Sequence, residues 1–339
     1  MPIFAALLCI FIGGVINGSF ALPSKKIQQW QFENIWLNYA VWALLLLPWI
    51  SILTLAPNVW PVYQNIPGHL WWALLIGGAL FGIGQVCFAQ SLTMIGFGLG
   101  FVINIGLGTG LGFLLPLVAL HPEKILTPFG YATLIGIVFI IAGLLISYRA
   151  GKQRDEYRKG TQPDAPPSQY QTGVLLAVGA GICSAIQNFT FASTSSLQTM
   201  ALHAGLKHLA AAMIIWPVFL TFSFIPYVIY MLYLHRKNNS FTHYQGARNG
   251  FNSLLTLIMG LCWYCSLVLY SQASLLIGGL GPVVGWPLFM VLIILVSNFW
   301  GWRHHEWSHV TDRIKHQALS AIGLLIFAVA VLAYSATLA

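Results

Sequence analysis

Ten apolar runs, each about twenty residues long, alternate with polar connections along this chain of 339 residues. A helix of about 20 apolar residues is long enough to cross the hydrocarbon core of a bilayer. The pattern therefore predicts an all-α integral membrane protein with ten transmembrane helices. We place these spans at residues 3–22, 35–56, 70–94, 98–120, 128–148, 171–194, 208–234, 250–276, 281–300 and 317–337.

Two connections are short and rich in glycine. They are Gly96–Gly98, between the third and fourth spans, and Gly278–Pro282, between the eighth and ninth. Short connections of this composition predict tight antiparallel hairpins.

The charge content supports a membrane protein and excludes a soluble one. Only 6% of the residues are charged, whereas soluble domains contain about 25%. The formal net charge is +8, but the basic residues fall between apolar runs instead of clustering on a solvated face. We therefore expect contact with membrane lipids and no nucleic-acid partner.

The distribution of Lys and Arg predicts the orientation. Thirteen of them lie in the odd-numbered connections and two in the even-numbered ones. Connections rich in Lys and Arg face the cytoplasm, so we expect both termini outside. Lys25 and Lys26 would hold the first connection at the anionic leaflet, and we expect Glu33 to pair with a lysine there.

A long polar stretch divides the chain into two halves. We predict a first five-helix repeat at residues 1–150, a cytoplasmic linker at 151–170 and a second five-helix repeat at 171–339. Because five is odd, the second half crosses the membrane in the opposite sense. Weak echoes support an inverted repeat: Gly14 matches Gly181, and Gly78 matches Gly260. Two inverted five-helix repeats are typical of secondary carriers with a site near the midplane.

No Asp, Glu, Lys or Arg falls clearly inside a span. This absence argues against an ion pump and against direct pairing with a charged solute. It also argues against a membrane-embedded enzyme, which needs clustered acid, base and nucleophile. We therefore expect no catalytic residue, no metal site and no cofactor.

Neutral amides and aromatic rings occupy the spans instead. Any single amide is at least as well explained by an interhelical hydrogen bond as by a solute contact. Their number and their pairing with tryptophans favour a small neutral hydroxylated solute, above all a sugar, because sugars combine polar edges with an apolar face. The candidate substrate-binding residues are Asn17, Gln85, Asn104, Gln187, Asn188, Trp263, Tyr270, Gln272 and Trp286.

The first hairpin carries a resemblance to a known family. The residues concerned are Pro23, Lys25, Lys26, Trp30, Glu33, Trp36, Pro48 and Trp49, and Trp286 and Glu306-Trp307 continue the likeness. In this order they resemble the L-rhamnose–proton symporter family of the drug/metabolite transporter superfamily. The resemblance implies ten helices in two inverted halves, both termini outside, and sugar uptake through the bacterial inner membrane by symport.

The chain departs from this family in the ninth span. The rhamnose transporters that it resembles have an acidic residue just before the tryptophan, whereas the stretch from Leu280 to Trp286 has none. The sequence therefore predicts a divergent member, in which the solute and the coupling to protons stay open.

Two other functions also stay open. An exporter of amphiphilic metabolites would have a more apolar cavity that opens to lipid. A membrane receptor without transport activity would bind its ligand but give no counterflow of labelled solute.

Overall fold

The computed structural model describes residues 2–159, 167–304, 307 and 310–338. These residues form α-helices with short 3₁₀ and π segments, and they contain no strand. Ten of the helical stretches in this part of the chain are long and apolar enough to cross a membrane, and each overlaps a predicted span. They are α1 (Pro2–Lys26), α2 (Phe32–Leu55), α3 (Gly68–Leu92), α4 (Ile103–Leu120), α5 (Pro128–Arg154), α6 (Tyr170–His203), α7 (His208–Asn238), α8 (Asn249–Ile277), α9 (Gly281–Arg303) and α10 (Asp312–Ala336).

Several spans contain local breaks. In α1 a helix is followed by a 3₁₀ turn, and α6 and α7 each consist of two helices in succession. The segments are Pro2–Ser19 and Leu22–Lys26, then Pro167–Ser193 and Ser196–His203, and then His208–Met213 and Trp216–Asn238. A short helix, Trp60–Gln64, and two 3₁₀ turns, Pro122–Lys124 and Ser240–Gln245, lie between spans.

A π segment, Val41–Leu46, interrupts α2 between the α-helices Phe32–Ala40 and Leu47–Leu55. Its cause is visible in the sequence. Pro48 has no N–H to donate to the preceding turn, and its ring crowds the carbonyl group of Leu44. The backbone therefore widens locally, and Leu47 N–H bonds to Trp42 O five residues back.

The turn between α3 and α4 keeps helical hydrogen bonding, so helical geometry runs from Gly68 to Leu120 over 53 residues. The chain nevertheless reverses there. A Cβ atom built on Gly100 would lie 3.7 Å from the backbone N of Leu92, whereas eight residues of straight helix span about 12 Å. The predicted hairpin is present, and Gly96–Gly98 is helical in backbone conformation.

The turn between α8 and α9 depends on glycine. Gly278 has a φ of +90°, in the region that only glycine adopts at little cost. The predicted hairpin at Gly278–Pro282 therefore forms through a single residue with left-handed φ, and α9 begins three residues later, at Gly281.

The predicted linker, residues 151–170, is helical at both ends. One helix runs from Pro128 to Lys159, past the end of the α5 span, and another begins at Pro167. Residues 160–166 between them lie outside the described part of the chain, as does Glu306 of the family motif.

The two halves interlock instead of standing side by side. α1 packs against α8 and α9, while α6 packs against the α3–α4 run, and α5 packs against α10. These contacts are related by exchange of the two halves, since α1 corresponds to α6, α3 to α8 and α4 to α9.

The matched glycines lie at equivalent helix crossings. A Cβ on Gly14 would lie 2.5 Å from Leu292 Cβ on α9, and one on Gly181 would lie 2.7 Å from Leu107 Cβ on α4. Side chains larger than hydrogen do not fit at these distances. The missing side chains thus allow close helix packing at corresponding places in the two halves.

The second pair of matched glycines behaves in the same way. A Cβ on Gly78 would lie 2.9 Å from Phe222 Cβ on α7, and one on Gly260 would lie 3.0 Å from Trp42 Cβ on α2. Both glycines therefore mark crossings that the exchange of halves relates, namely α3 with α7 and α8 with α2.

The start of α2 docks onto the end of α7 and the 3₁₀ turn that follows it. Glu33 is buried, and its carboxylate accepts a hydrogen bond of 2.9 Å from Asn238. It forms no ion pair with a lysine among the described residues, so that expectation was wrong. Asn34 donates to the carbonyl of Ser240 at 3.0 Å. Burial raises the pKa of Tyr244 to about 12, so its hydroxyl keeps its proton and donates to Asn34 O.

Candidate functional site

A cavity of about 690 Å³ opens between α1, α3, α4, α5, α6, α8 and α9. Along α9 its lining runs from Trp286 to Gly301, and at the linker end, which we call the mouth, it reaches Arg154 and Trp307. The mouth therefore lies at the membrane face that carries the linker. The volume of the cavity falls within the range of about 300–1,000 Å³ that is usual for small-molecule sites.

The cavity brings together six of the nine candidate residues, from both halves of the chain. Each lies on the face of its helix that borders the cavity. The six are Asn17, Gln85, Asn104, Gln187, Trp263 and Trp286.

Gln187 on α6 is the most telling of the polar residues. Its side chain is only 4% exposed, and its Nε2 group has no hydrogen-bond partner among the described residues. An unpaired buried donor costs about 1–3 kcal/mol. Gln187 lines the cavity, so a turn of its side chain toward the cavity would let this unused donor bond to a ligand.

Asn17 on α1 is partly satisfied by the protein. Its Nδ2 group donates to Ser266 Oγ on α8 at 2.7 Å, and Ser266 in turn donates to the carbonyl of Trp263. The bond holds the amide of Asn17 at a fixed angle in the cavity wall.

Aromatic rings form much of the remaining wall. Trp263 packs edge-on against Tyr39, with ring centroids 6.3 Å apart. Trp286 donates from Nε1 to the carbonyl of Gly108 at 3.0 Å and contacts the ring of Phe289. These contacts orient two flat indoles next to the amides.

Three candidates lie outside the cavity wall. Asn188 is fully buried and donates to Gly112 O at 2.8 Å and to Pro282 O at 3.0 Å. It also accepts a hydrogen bond from Tyr270, so both side chains use their polar groups in hydrogen bonds within the protein. Gln272 on α8 does not line the cavity.

We refer to Asn188, Tyr270 and Trp286 as the seal. Asn188 on α6 and Trp286 on α9 each donate to a carbonyl of α4, and Tyr270 on α8 donates to the side chain of Asn188. The rings of Tyr270 and Trp286 meet edge to face at 5.6 Å. Of the three, Trp286 lines the cavity, at the end of its lining on α9 that is farther from the linker, whereas Asn188 and Tyr270 lie outside the lining.

The mouth contains Arg154, which the sequence analysis did not single out, and Trp307, which it named only as part of the family resemblance. The guanidinium of Arg154 lies 4.9 Å from the ring centroid of Trp307, which stacks on Trp302 at 5.6 Å. Arg154 carries the one formal charge among the described residues that line the cavity. Nothing in the linker composition marked it as a lining residue.

Ser184 is a further lining residue that the sequence analysis missed, although the repeat itself points to it. Gly14 and Gly181 are 167 residues apart, and Ser184 lies 167 residues after Asn17. The two residues are therefore counterparts on α1 and α6.

Comparison with known proteins gives a consistent result. The sequence model of the L-rhamnose-proton symport protein family matches residues 2–338. Two curated proteins, each named L-rhamnose-proton symporter, come from Klebsiella pneumoniae strain 342 and Mannheimia succiniciproducens. They are 26% and 25% identical to this chain, and each match covers 94% of both proteins. A symporter of the same name from Escherichia coli K12 is 25% identical over 89% of each chain.

Proposed function

The chain belongs to the L-rhamnose-proton symport protein family, and on this premise we propose that it carries a rhamnose-like monosaccharide across the bacterial inner membrane in symport with protons. The solute would occupy the cavity, and transport would proceed by alternating access between the two faces of the membrane.

The cavity wall is the observation that carries this proposal. Amides of Asn17, Gln85, Asn104 and Gln187 supply both donors and acceptors, and Trp263 offers a flat apolar face. A hydroxylated ring needs both kinds of surface. An amphiphilic solute would leave the amides unpaired, which is costly in a buried site.

The proposed orientation is supported by the distribution of basic residues, which favours a cytoplasmic linker and both termini outside. In that orientation the mouth at Arg154 faces the cytoplasm and the seal faces the exterior. The structure then corresponds to an inward-open state, from which solute leaves for the cytoplasm.

The repeat suggests what closes the mouth in the opposite state. The spacing of 167 residues relates Asn188 to Ala21, and the spacing of 182 between Gly78 and Gly260 relates Tyr270 to Phe88. Both Ala21 and Phe88 line the cavity. We propose that they meet in the outward-open state, as Asn188 and Tyr270 meet in this one.

Counterflow in proteoliposomes tests the sugar proposal without any ion gradient. Vesicles loaded with unlabelled L-rhamnose should accumulate labelled L-rhamnose transiently, because the carrier exchanges one for the other. Saturable binding of the sugar without counterflow would indicate a receptor that does not transport. Counterflow of lipophilic metabolites alone would indicate an exporter.

A second measurement addresses the protons separately. An inward proton gradient should drive net accumulation, and a protonophore should abolish it while counterflow persists. If counterflow occurs but a proton gradient drives no net accumulation, the protein catalyses facilitated exchange. That result would contradict symport with protons and would leave the sugar assignment unchanged.

A further inference from the structure

A second groove lies outside the cavity, between the linker-end halves of α5 and α10. Its volume is about 460 Å³, and its lining combines basic, polar and apolar side chains. The lining residues are Ile146, Arg149, Arg313, His316, Gln317 and Ser320.

Two arginines give this groove a net positive charge. Arg149 and Arg313 are both exposed, and neither has a carboxylate within ion-pair distance among the described residues. Asp312, the acid next to Arg313, is 84% exposed and pairs with Lys315 at 3.2 Å. Two guanidinium groups in one groove are well suited to a phosphate, which they bind through paired N–H donors.

The groove also holds an unused acceptor. Gln317 Oε1 is buried without a hydrogen-bond partner among the described residues. Ser320 donates its hydroxyl proton to His316 O at 2.9 Å, so its oxygen remains an acceptor too. A ligand that fits the groove therefore needs a hydroxyl or amine donor beside its anionic group.

Apolar side chains continue from the groove toward the middle of the bilayer. Leu145 on α5 and Leu319 on α10 are each 52% exposed, next to the basic residues that mark the interface with water. A ligand with acyl chains would lay them on this surface while its headgroup reached the arginines.

We propose that the groove binds the headgroup of an anionic phospholipid that carries free hydroxyls. Its phosphate would lie between Arg149 and Arg313, and a headgroup hydroxyl would donate to Gln317 Oε1. The proposal does not depend on the transported solute, because the groove and the cavity share no lining residue.

Native mass spectrometry of the full-length protein in detergent tests this site. Phosphatidylglycerol should bind at least about tenfold more tightly than phosphatidylcholine with the same acyl chains, since each basic residue near the headgroup strengthens binding about fivefold. The double variant Arg149→Gln/Arg313→Gln should lose this preference. Equal binding of the two lipids to the wild type would overturn the proposal.

The matched control neutralises two exposed basic residues at the same membrane face, outside the groove. Arg236 and Lys237 lie in the last turn of the helix Trp216–Asn238. The variant Arg236→Gln/Lys237→Gln should keep the preference for phosphatidylglycerol. An equal loss in both double variants would mean that net charge alone attracts the lipid, and would overturn a specific site.

Two further binding measurements test whether the acyl chains and the headgroup hydroxyls contribute to binding. Glycerol 1-phosphate without acyl chains should bind at least about tenfold more weakly than phosphatidylglycerol, and equal binding would mean a soluble anion site. The wild type should also prefer phosphatidylglycerol to phosphatidic acid, which has no headgroup glycerol and so lacks its hydroxyls. Gln317→Leu should lose this second preference but keep the preference for phosphatidylglycerol over phosphatidylcholine. Unchanged thermal midpoints without added lipid would show that the variants are folded.

Discussion

The seal and the cavity wall contain the same kinds of residue, but their hydrogen bonds differ. In the seal, Asn188 uses both of its amide groups on partners within the protein. In the cavity wall, Gln187, its neighbour in sequence, leaves Nε2 without a partner among the described residues. Asn17 is intermediate, with one bond to Ser266. Adjacent amides on one helix can thus serve closure and recognition, because consecutive residues point in different directions.

This gradation gives each amide a distinct expected role. A side chain that is fully bonded within the protein contributes mainly to stability. One that lacks a partner costs stability and is available to a ligand. Substitutions should therefore separate the two effects, and the following three variants are ordered by the size of the expected change.

Asn188→Leu should have the largest effect. It leaves Gly112 O, Pro282 O and the Tyr270 hydroxyl without their partner inside the protein, and we expect a loss of about 2–4 kcal/mol of stability together with loss of counterflow. Thermal unfolding in detergent measures the first and proteoliposomes the second. Asn298→Leu is the control for the thermal midpoint, since among the described residues that amide bonds only to Ile294 O on its own helix. It lines the cavity and is therefore not a control for counterflow. A midpoint unchanged in Asn188→Leu would contradict a structural role for the seal.

Gln187→Leu should weaken L-rhamnose binding about tenfold, which corresponds to one hydrogen bond of roughly 1.4 kcal/mol. The midpoint without sugar should stay the same or rise, because the variant removes a buried unpaired group. Isothermal calorimetry gives the affinity. Gln272→Leu removes an amide outside the cavity and should bind sugar like the wild type. Equal affinity losses in the two variants would refute a direct contact from Gln187.

Ser266→Ala should have the smallest effect on binding, a loss of roughly threefold, because it frees Asn17 without removing it. Stability should fall by about 1 kcal/mol. Ser271→Ala on the same helix also removes a bond to another helix, the one that Trp216 donates at 2.6 Å, and should cost similar stability without altering affinity. If the sugar bound both variants equally, the orientation of Asn17 would be unimportant.

Much of the fold could be predicted from the sequence because lipid imposes a simple rule: apolar runs of sufficient length become spanning helices. The matched glycines also pointed to real crossings, since close helix approach requires a missing side chain. The π segment at Val41–Leu46 and the helical continuation to Lys159 were not predicted, because both depend on local hydrogen bonding that hydropathy does not record.

The candidate site was less predictable, for a physical reason. Hydropathy locates an amide within a span but does not reveal the partner that its helix face meets. Asn188 and Tyr270 are hydrogen-bonded to each other, whereas Gln187 Nε2 has no hydrogen-bond partner among the described residues. Arg154 was assigned to the linker because α5 was expected to end earlier. The membership of these residues in a solute site remains a prediction.

The interlocking of the halves has a consequence for the role of the linker. α1 rests on α8 and α9, and α6 on α3 and α4, and the main hydrophobic core draws its residues from both five-helix units. The linker segment at residues 160–166 connects two halves that noncovalent packing already holds together. Two separately translated fragments, divided at that segment, should assemble into a working carrier, whereas either fragment alone should be degraded.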